Sequence, residues 1–412
     1  MGCLPGLAVV AVAAVAAASW VFSSSLLDPD HSAGPFGIAV ERVEVRDDGD
    51  GGASDVIAFE RDEISERPGI YGLDFEDGHA IAHQVVVAGP AEAAQPGDEV
   101  SRKVTEIEGD LDEGDKVAFD PTVWETNPLA ARGIPYREVD YASQLGPMPA
   151  WRVNGNGVEG RGKTWAIFVH GHNATRAAGL RILKPLHRAG LPSLLIAYRN
   201  DPGAPPSEDG LLHLGATEWK DLDAAARYAL EHGARDLVVV GSSMGGAIVS
   251  QFIHRSPRAA RVRALIFDAP VLDWKAVIDL QASERGLPGP IATSTEWTVS
   301  GRIDFDWDAF DQIARADEFG MPILLFHGDQ DETVPISSSE QFAAKLPGQV
   351  TFYEVPEAGH VEAWNVGPKL FDQRVLDFLA AALAPGAASS ASRPGASRSG
   401  SRLLRFAPGG GS

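Results

Sequence analysis

LVVVGSSMGG, the stretch from Leu237 to Gly246, decides how this chain is read. Four apolar residues, three of them β-branched, run into a glycine-serine turn, and the helix-compatible Ala247-Ile248-Val249-Ser250-Gln251-Phe252-Ile253 follows at once. The order predicts strand, sharp turn, helix. Glycines at 241 and 245 let strand and helix approach without a Cβ clash. In such a G-x-S-x-G turn the central serine stands on a strained corner at the carboxyl end of a strand. The Ser243 hydroxyl is then exposed above a sheet, and the Met244 N–H points to where negative charge develops in acyl transfer. In a chain with 44 glycines the five-residue pattern alone is weak, so its weight comes from the elements around it.

With 412 residues there is room for one sizeable α/β domain and additional material. A formal net charge of −22 argues against a nucleic-acid partner, because phosphate binding needs a lysine or arginine surface. Cys3 is the single cysteine, so neither an intrachain disulfide nor a Cys-based metal site is available.

Residues 6–22 carry no charge over about the length that crosses a bilayer core, and they read as a membrane anchor. No basic segment precedes them, although Ala16, Ala17, Ala18 and Ser19 offer a cleavage site for an export signal. The expectation is an N-terminal anchor and polar linker over residues 1–35, placing the protein at the cell membrane, with secretion after cleavage as the alternative. Residues 36–132 change to short β-like runs (38–45, 56–59 and 80–87) punctuated by Asp-Gly and Pro-Gly turns, and read as a β-rich accessory region. His79 and His83 stand at i,i+4 there, but strand spacing sets them apart and no third ligand stands nearby in sequence, so they read as turn and strand histidines.

Tyr136 to Tyr141 and Ala150 to Val153 flank a turn and suit an antiparallel hairpin. From Trp165 onward, apolar runs alternate with helical patterns. Strands are expected at 165–169, 194–198, 237–240, 264–267, 323–326 and 350–355, and a helix over 217–232 carries Trp219, Leu222, Ala226, Ala229 and Leu230 on one face. The alternation means a mostly parallel sheet covered by helices on both faces, with ligands beyond the carboxyl ends of the strands. At those ends stand His170-Gly171-His172-Asn173, the Ser243 turn, His327-Gly328-Asp329-Gln330-Asp331 and Gly359-His360. Ser337 to Glu340 has the form of a capping box opening a further helix. Serine, acid and histidine thus follow strands in the order Ser243, the acidic run of Asp329, Asp331 and Glu332, and His360, as nucleophilic catalysis needs: a base to take the hydroxyl proton, and a carboxylate to hold the imidazolium that results.

The stretch from Tyr136 to Leu383 resembles the α/β-hydrolase superfamily, and more narrowly its serine-aminopeptidase-like and lysophospholipase-like esterase branches. The resemblance rests on His170-Gly171, the 241–246 turn, His327-Gly328-x-x-Asp331-x-x-Val334-Pro335 and Gly359-His360. It implies an α/β-hydrolase fold over residues 133–384, with Ser243 as nucleophile, His360 as base, Asp331 as acid, and the backbone N–H groups of His172 and Met244 as the oxyanion hole. Asp268, after another strand, is the alternative acid, since some members carry it there. His170 and His172 read as metal ligands would lack a third partner, and neither a metal nor an organic cofactor is required. Serine at 243 instead of aspartate argues against alkyl-enzyme chemistry. The long connection 271–320, with Trp274, Trp297, Phe305, Trp307 and Phe310, is either a lid suited to an acyl chain or an excursion packed on the domain. Phe371, Val375, Phe378 and Leu379 mark a last amphipathic helix. Residues 385–412, rich in Ala, Ser, Gly and Pro, with Arg393, Arg398, Arg402 and Arg405 as their charges, read as a disordered tail.

The function expected is a serine hydrolase, carboxylesterase- or lipase-like, that cleaves an ester or thioester of a small or lipid-like acyl group. A serine peptidase or aminopeptidase, with Asp201, Glu208 and Asp209 as candidate amine binders, is the runner-up. A non-catalytic, membrane-tethered binding module on the same scaffold is the reading from another class.

Overall fold

Two sheets grow from these apolar runs, one closed on itself and one open. The computed structural model describes residues 4–32, 34, 36–47, 53–86, 99–157, 162–384 and 403–405. It begins with helix α1, Leu4–Leu27. Strands β1 (Ile38–Asp47) and β2 (Ala53–Glu60), the one-turn helix α2 (Glu63–Glu66), and strands β3 (Tyr71–Phe75), β4 (Gly78–Val85), β5 (Glu99–Glu108) and β6 (Lys116–Asp120) form a closed barrel in the order β1-β2-β5-β4-β3-β6. Closure removes the exposed edges that short strands of this kind would otherwise present. Ile57, Phe59, Leu73, Ala80 and Val104 fill its interior. Strands β3, β5 and β6 were not apparent in the sequence; in β5 the inward position between Val100 and Val104 is taken by the buried Arg102.

A short helix α3 (Pro128–Arg132) leads to the open sheet. That sheet comprises β7 (Tyr136–Ala142), β8 (Pro147–Val153), β9 (Thr164–Val169), helix α4 (Leu180–Arg188), β10 (Ser193–Ile196), α5 (Trp219–Glu231), β11 (Asp236–Ser242), α6 (Met244–Arg255), β12 (Val262–Asp268), α7 (Trp274–Glu284), α8 (Gly289–Ile303), β13 (Ile323–Gly328), α9 (Ile336–Lys345), β14 (Val350–Val355), α10 (Ala363–Val366), α11 (Pro368–Ala382) and β15 (Leu403–Arg405). Its order is β15-β14-β13-β12-β11-β9-β10-β8-β7, parallel except where β8 pairs with β7 and β10. Alternation along β11 shows why both faces are covered: Leu237 and Val239 enter one core with α5, α6 and α7, while Val238 and Val240 enter the other with α4 and α11. The strand order reverses on either side of β9, which opens a crevice at the carboxyl ends of β9 and β11.

Four expectations are corrected. The N-terminal segment is a helix, but its carboxyl third is committed to the protein: Ser19, Phe22, Ser23, Leu26 and Leu27 are buried. Among the described residues no helix is long and apolar enough to cross a membrane. The helix also runs through the presumed linker, because the Ser23 and Ser25 hydroxyls donate back to the Trp20 and Phe22 carbonyls at 2.8 Å, and it stops before Pro29. In the tail, Leu403–Arg405 adds a strand to the open edge of β14; residues 385–402 and 406–412, and Cys3, lie outside the described residues. Ser337 does not cap α9, whose N-cap is Pro335; Ser339 instead bonds His327. In the 271–320 connection, Trp274, Phe305, Phe310 and Phe319 are buried in the main core, and Trp297 alone among its six aromatic residues is exposed.

The barrel is fastened to the sheet domain beside the 356–362 loop. Arg102 is fully buried and donates to the Ser65 carbonyl at 2.9 and 3.0 Å, to Gly69 at 3.1 Å, to His83 at 2.8 Å and to Arg67. Burial pulls its guanidinium down to about 10. The loop it organises carries Arg67 and Tyr71 to Glu362, at 3.2 and 3.1 Å. Replacing Arg102 with Met leaves four buried carbonyls without donors, so Arg102→Met is expected to cost about 3 kcal/mol in urea unfolding. A loss below about 0.5 kcal/mol would show that the loop does not depend on it.

Candidate active site

Strand β11 ends in a residue with φ 53° and ψ −124°, Ser243, a left-handed backbone that a side chain other than glycine rarely adopts. The surroundings hold it there. Ser243 N–H donates to the Asp268 carbonyl at 3.0 Å, and the Ser243 carbonyl accepts from Gly246 at 2.8 Å and Val271 at 2.9 Å. A Cβ on Gly241 would stand 2.7 Å from the Gly245 carbonyl oxygen, so the strand and α6 meet this closely only through glycine. Met244 opens α6, and its N–H, at the first helical position, has no acceptor within the helix.

His360, in the loop after β14, places Nε2 2.8 Å from Ser243 Oγ and Nδ1 2.8 Å from Asp331 Oδ2. The Asp331 carboxylate accepts four donors. Thr333 and Val334 N–H each reach Oδ1 at 2.8 Å and His360 reaches Oδ2, while His327 Nε2 is shared between Oδ2 at 3.1 Å and the Val334 carbonyl at 3.0 Å. Burial opposes ionisation of Asp331, but the facing His360 and the His327 bond outweigh it and hold the carboxyl well below the usual range. Burial likewise opposes charge on His360, yet Asp331 keeps its pKa above the ordinary imidazole value. Asp268 is close but is not bonded to His360. One of its carboxylate oxygens has no partner, and burial raises its pKa to about 6.

Gly171 brings the loop after β9 against Ser243, since a Cβ there would lie 2.8 Å from Ser243 Cβ. The backbone of His172 follows directly. Its imidazole turns away, with Nε2 2.9 Å from the Leu26 carbonyl, and burial depresses its pKa, so the ring there is neutral. His170 points elsewhere, with Nε2 on Asp201 at 2.7 Å and its ring stacked on Tyr198 at 4.2 Å. The two histidines therefore do not converge as metal ligands. A candidate ligand group forms on the outer side of the barrel, where Asp74 and His79 meet Glu125 of the segment after β6. This corrects the absence of a third neighbour for His79, which sequence separation hid. Both His79 ring nitrogens are nevertheless occupied, by Asp74 at 2.7 Å and the Val123 carbonyl at 3.0 Å.

The candidate amine binders are spent elsewhere. Asp201 is buried on His170 and the Tyr198 N–H, Asp209 serves Leu211, Ser207 and His213, and Glu208 is exposed. Sequence reasoning also missed His327 as the second donor to Asp331, although its i,i+4 spacing and place at a strand end were visible. It missed Glu362, which accepts the Gly359 N–H at 2.8 Å and meets Arg67 and Tyr71 of the barrel loop; no local signal could have found that pairing. A cavity of about 230 Å³ lies between these barrel residues and His360, lined also by Ile64, Phe119 and Thr333. A cleft of about 660 Å³ between the barrel and the β7–β8 hairpin is not lined by Ser243.

Residues 207–385 match the family model of Peptidase_S9, the prolyl oligopeptidase family, and residues 44–120 match DUF8805, a domain of unknown function. Among curated proteins, the chain is similar to the uncharacterized protein YfhR of Escherichia coli (strain K12), with 24% identity over 225 residues, or 53% of this chain and 71% of that one. It is also similar to the uncharacterized protein Rv2307c of Mycobacterium tuberculosis, with 26% identity over 218 residues covering 51% of this chain and 66% of that one. Human protein ABHD12B shares 26% identity over 180 residues, 41% of this chain and 46% of its own length. Among solved structures, an esterase of Pyrococcus furiosus is 17% identical with a TM-score of 0.48, covering 62% of this chain and 94% of that one. The parallel sheet with its order reversal at β9, the strained serine after β11 and the match over residues 207–385 lead to one conclusion: the sheet domain has the fold and the site layout of the α/β-hydrolase superfamily.

Proposed function

We propose that this protein is a serine hydrolase that cleaves a carboxylic ester or thioester through an acyl-enzyme on Ser243. The observation that carries the reading is the relay from Ser243 Oγ through His360 to Asp331, with both hydrogen bonds at 2.8 Å. His360 takes the hydroxyl proton as Ser243 Oγ attacks the carbonyl carbon. The resulting imidazolium is stabilised by Asp331, which stays ionised. Charge on the carbonyl oxygen is met by the Met244 and His172 N–H groups, and His360 then protonates the leaving alcohol or thiol. A water activated by the same imidazole releases the acid and restores Ser243.

Ester cleavage is favoured over peptide cleavage because Asp201, Glu208 and Asp209 make no amine site at Ser243. Peptide cleavage remains the second reading, on the strength of the prolyl oligopeptidase family match. The non-catalytic module is disfavoured, because a scaffold without turnover has no need of an assembled relay. Placement at a cell membrane is retained as part of the proposal in altered form: α1 packs along α8, the cap helix of the 271–320 connection, and Val10, Val12, Trp20 and Val21 of α1 and Trp297 of α8 are exposed apolar side chains suited to lipid contact.

Ser243→Ala and His360→Ala are each expected to lower kcat about 10⁴-fold or more while the melting temperature stays close to that of the parent protein. Near-parental turnover in either overturns the assignment. Since neutral His360 is the base, kcat/KM should rise with pH through an apparent pKa above about 6.5, and Asp331→Asn should move that limb downward. A panel of acyl esters, thioesters and aminoacyl arylamides decides the substrate class, with turnover of the esters expected; hydrolysis confined to the arylamides would establish the peptidase instead. The full chain should float with phosphatidylcholine vesicles, and Trp20→Ser with Trp297→Ser should abolish this. Flotation unchanged by the pair rules out this surface as the contact.

A further inference from the structure

The N-terminal segment reaches farther into the site than its place in the chain suggests. On one side it is tied to the cap. Ser19 bonds Ser294 of α8, and Arg302 at the end of α8 donates to the Ser23 and Ser24 hydroxyls at 3.0 Å each and to Asp28 at 3.0 Å. On the other side it is tied to the loop after β9. The Leu26 carbonyl accepts from the His172 ring at 2.9 Å, and Asp30 N–H donates to Asn173 Oδ1 at 3.0 Å. His31 lies between two carbonyls, 3.1 Å from that of Asn173 and 3.3 Å from that of Asn200. The Leu27 carbonyl accepts from Leu212 N–H at 2.8 Å, and Leu26 and Leu27 are buried in the main core.

The loop is fixed at its start by the Tyr198 hydroxyl, which donates to the Gly171 carbonyl at 2.9 Å, and farther along by the N-terminal segment. Residues 171–173 belong to no regular element, and Asn173 has a φ of 55°. A donor for an oxyanion acts by being fixed before charge develops, and displacement of a catalytic group by about 1 Å can cost on the order of 100-fold in rate. The His172 side chain, the Asn173 side chain and the Asn173 carbonyl are all fixed by residues 26–31. No other part of the chain distant in sequence from this loop makes as many of the polar contacts described for it.

We propose that residues 26–31 form a positioning strap for the oxyanion hole: through the Leu26 carbonyl, Asp30 and His31 they hold the His172 N–H in place over Ser243. The inference rests on the hydrolase reading above. The strap touches neither nucleophile nor base, and its effect is on the stabilisation of the tetrahedral intermediate. By the same contacts α1, the cap helix α8 and the oxyanion loop move together or not at all.

The test uses the full chain and two substitutions, His31→Ala and His172→Leu, the second of which keeps the backbone N–H and removes only the anchor to Leu26. Each is examined for kcat and KM on a short-chain ester, for melting temperature, and for the affinity of an alkylboronic acid, whose tetrahedral adduct on Ser243 places an oxygen where the oxyanion forms. The expected result is a ten- to hundredfold fall in kcat, a matching rise in boronate Kd, and KM within about threefold of the parent protein. His31→Gln, which keeps one donor, should recover part of the loss. Unchanged boronate affinity in folded variants overturns the strap, as does a loss confined to melting temperature with kcat preserved. A parent protein that binds boronate no better than Ser243→Ala overturns the hydrolase reading itself and the strap with it.

Discussion

A backbone held in the left-handed region at Ser243 is the constraint on which the site depends. Such a conformation at a residue with a side chain costs on the order of 1–3 kcal/mol and persists only where neighbours over-determine it. Here the neighbours are the Asp268 carbonyl, the two N–H groups on the Ser243 carbonyl, and a strand-helix junction that only glycine at 241 permits. The strain turns the hydroxyl toward His360 and leaves the first N–H of α6 free of an intrahelical acceptor. One local geometry therefore supplies both the nucleophile and an oxyanion donor of the proposed reaction.

The charge on the relay is managed in a buried setting. A carboxylate and an imidazole removed from water would each favour the neutral form, yet each is held toward its charged form by the other and by fixed donors. His327 and the N–H groups of Thr333 and Val334 keep the Asp331 carboxylate oriented. Glu362 performs the corresponding service for the loop that carries His360, by taking the Gly359 N–H. Glu362 is itself met by Arg67 and Tyr71, so the barrel acts as a brace for the histidine loop. Arg102, whose donors all end on backbone carbonyls, shapes the segment that makes this contact.

Three parts of the chain distant in sequence thus converge on one crevice: the barrel loop on His360, the N-terminal helix on His172, and the cap on both α1 and the main core. Packing of Trp274, Phe305 and Phe310 into that core makes the cap a fixed wall over most of its length, with Trp297 as its outward residue. The apolar character of residues 6–22 has two uses that composition alone does not separate. Among the described side chains of α1, Ser19, Phe22, Leu26 and Leu27 are buried, and Val10, Val12, Trp20 and Val21 are exposed.

The α/β arrangement of residues 133–384 was legible in the sequence because its signals are local. Runs such as Leu237 to Val240 alternate between two cores, helices repeat at their own period, and Ser243, Asp331 and His360 each follow a strand, which is where a parallel sheet presents its ligands. The α1–α8 packing, the barrel closure, the β15 strand at Leu403–Arg405, and the bonds of Leu26, His31, Tyr71, Arg67 and Glu362 were decided by the tertiary structure alone. They join segments separated by up to about 290 residues through single hydrogen bonds and buried faces, and such pairings leave no period, spacing or composition in either segment by itself.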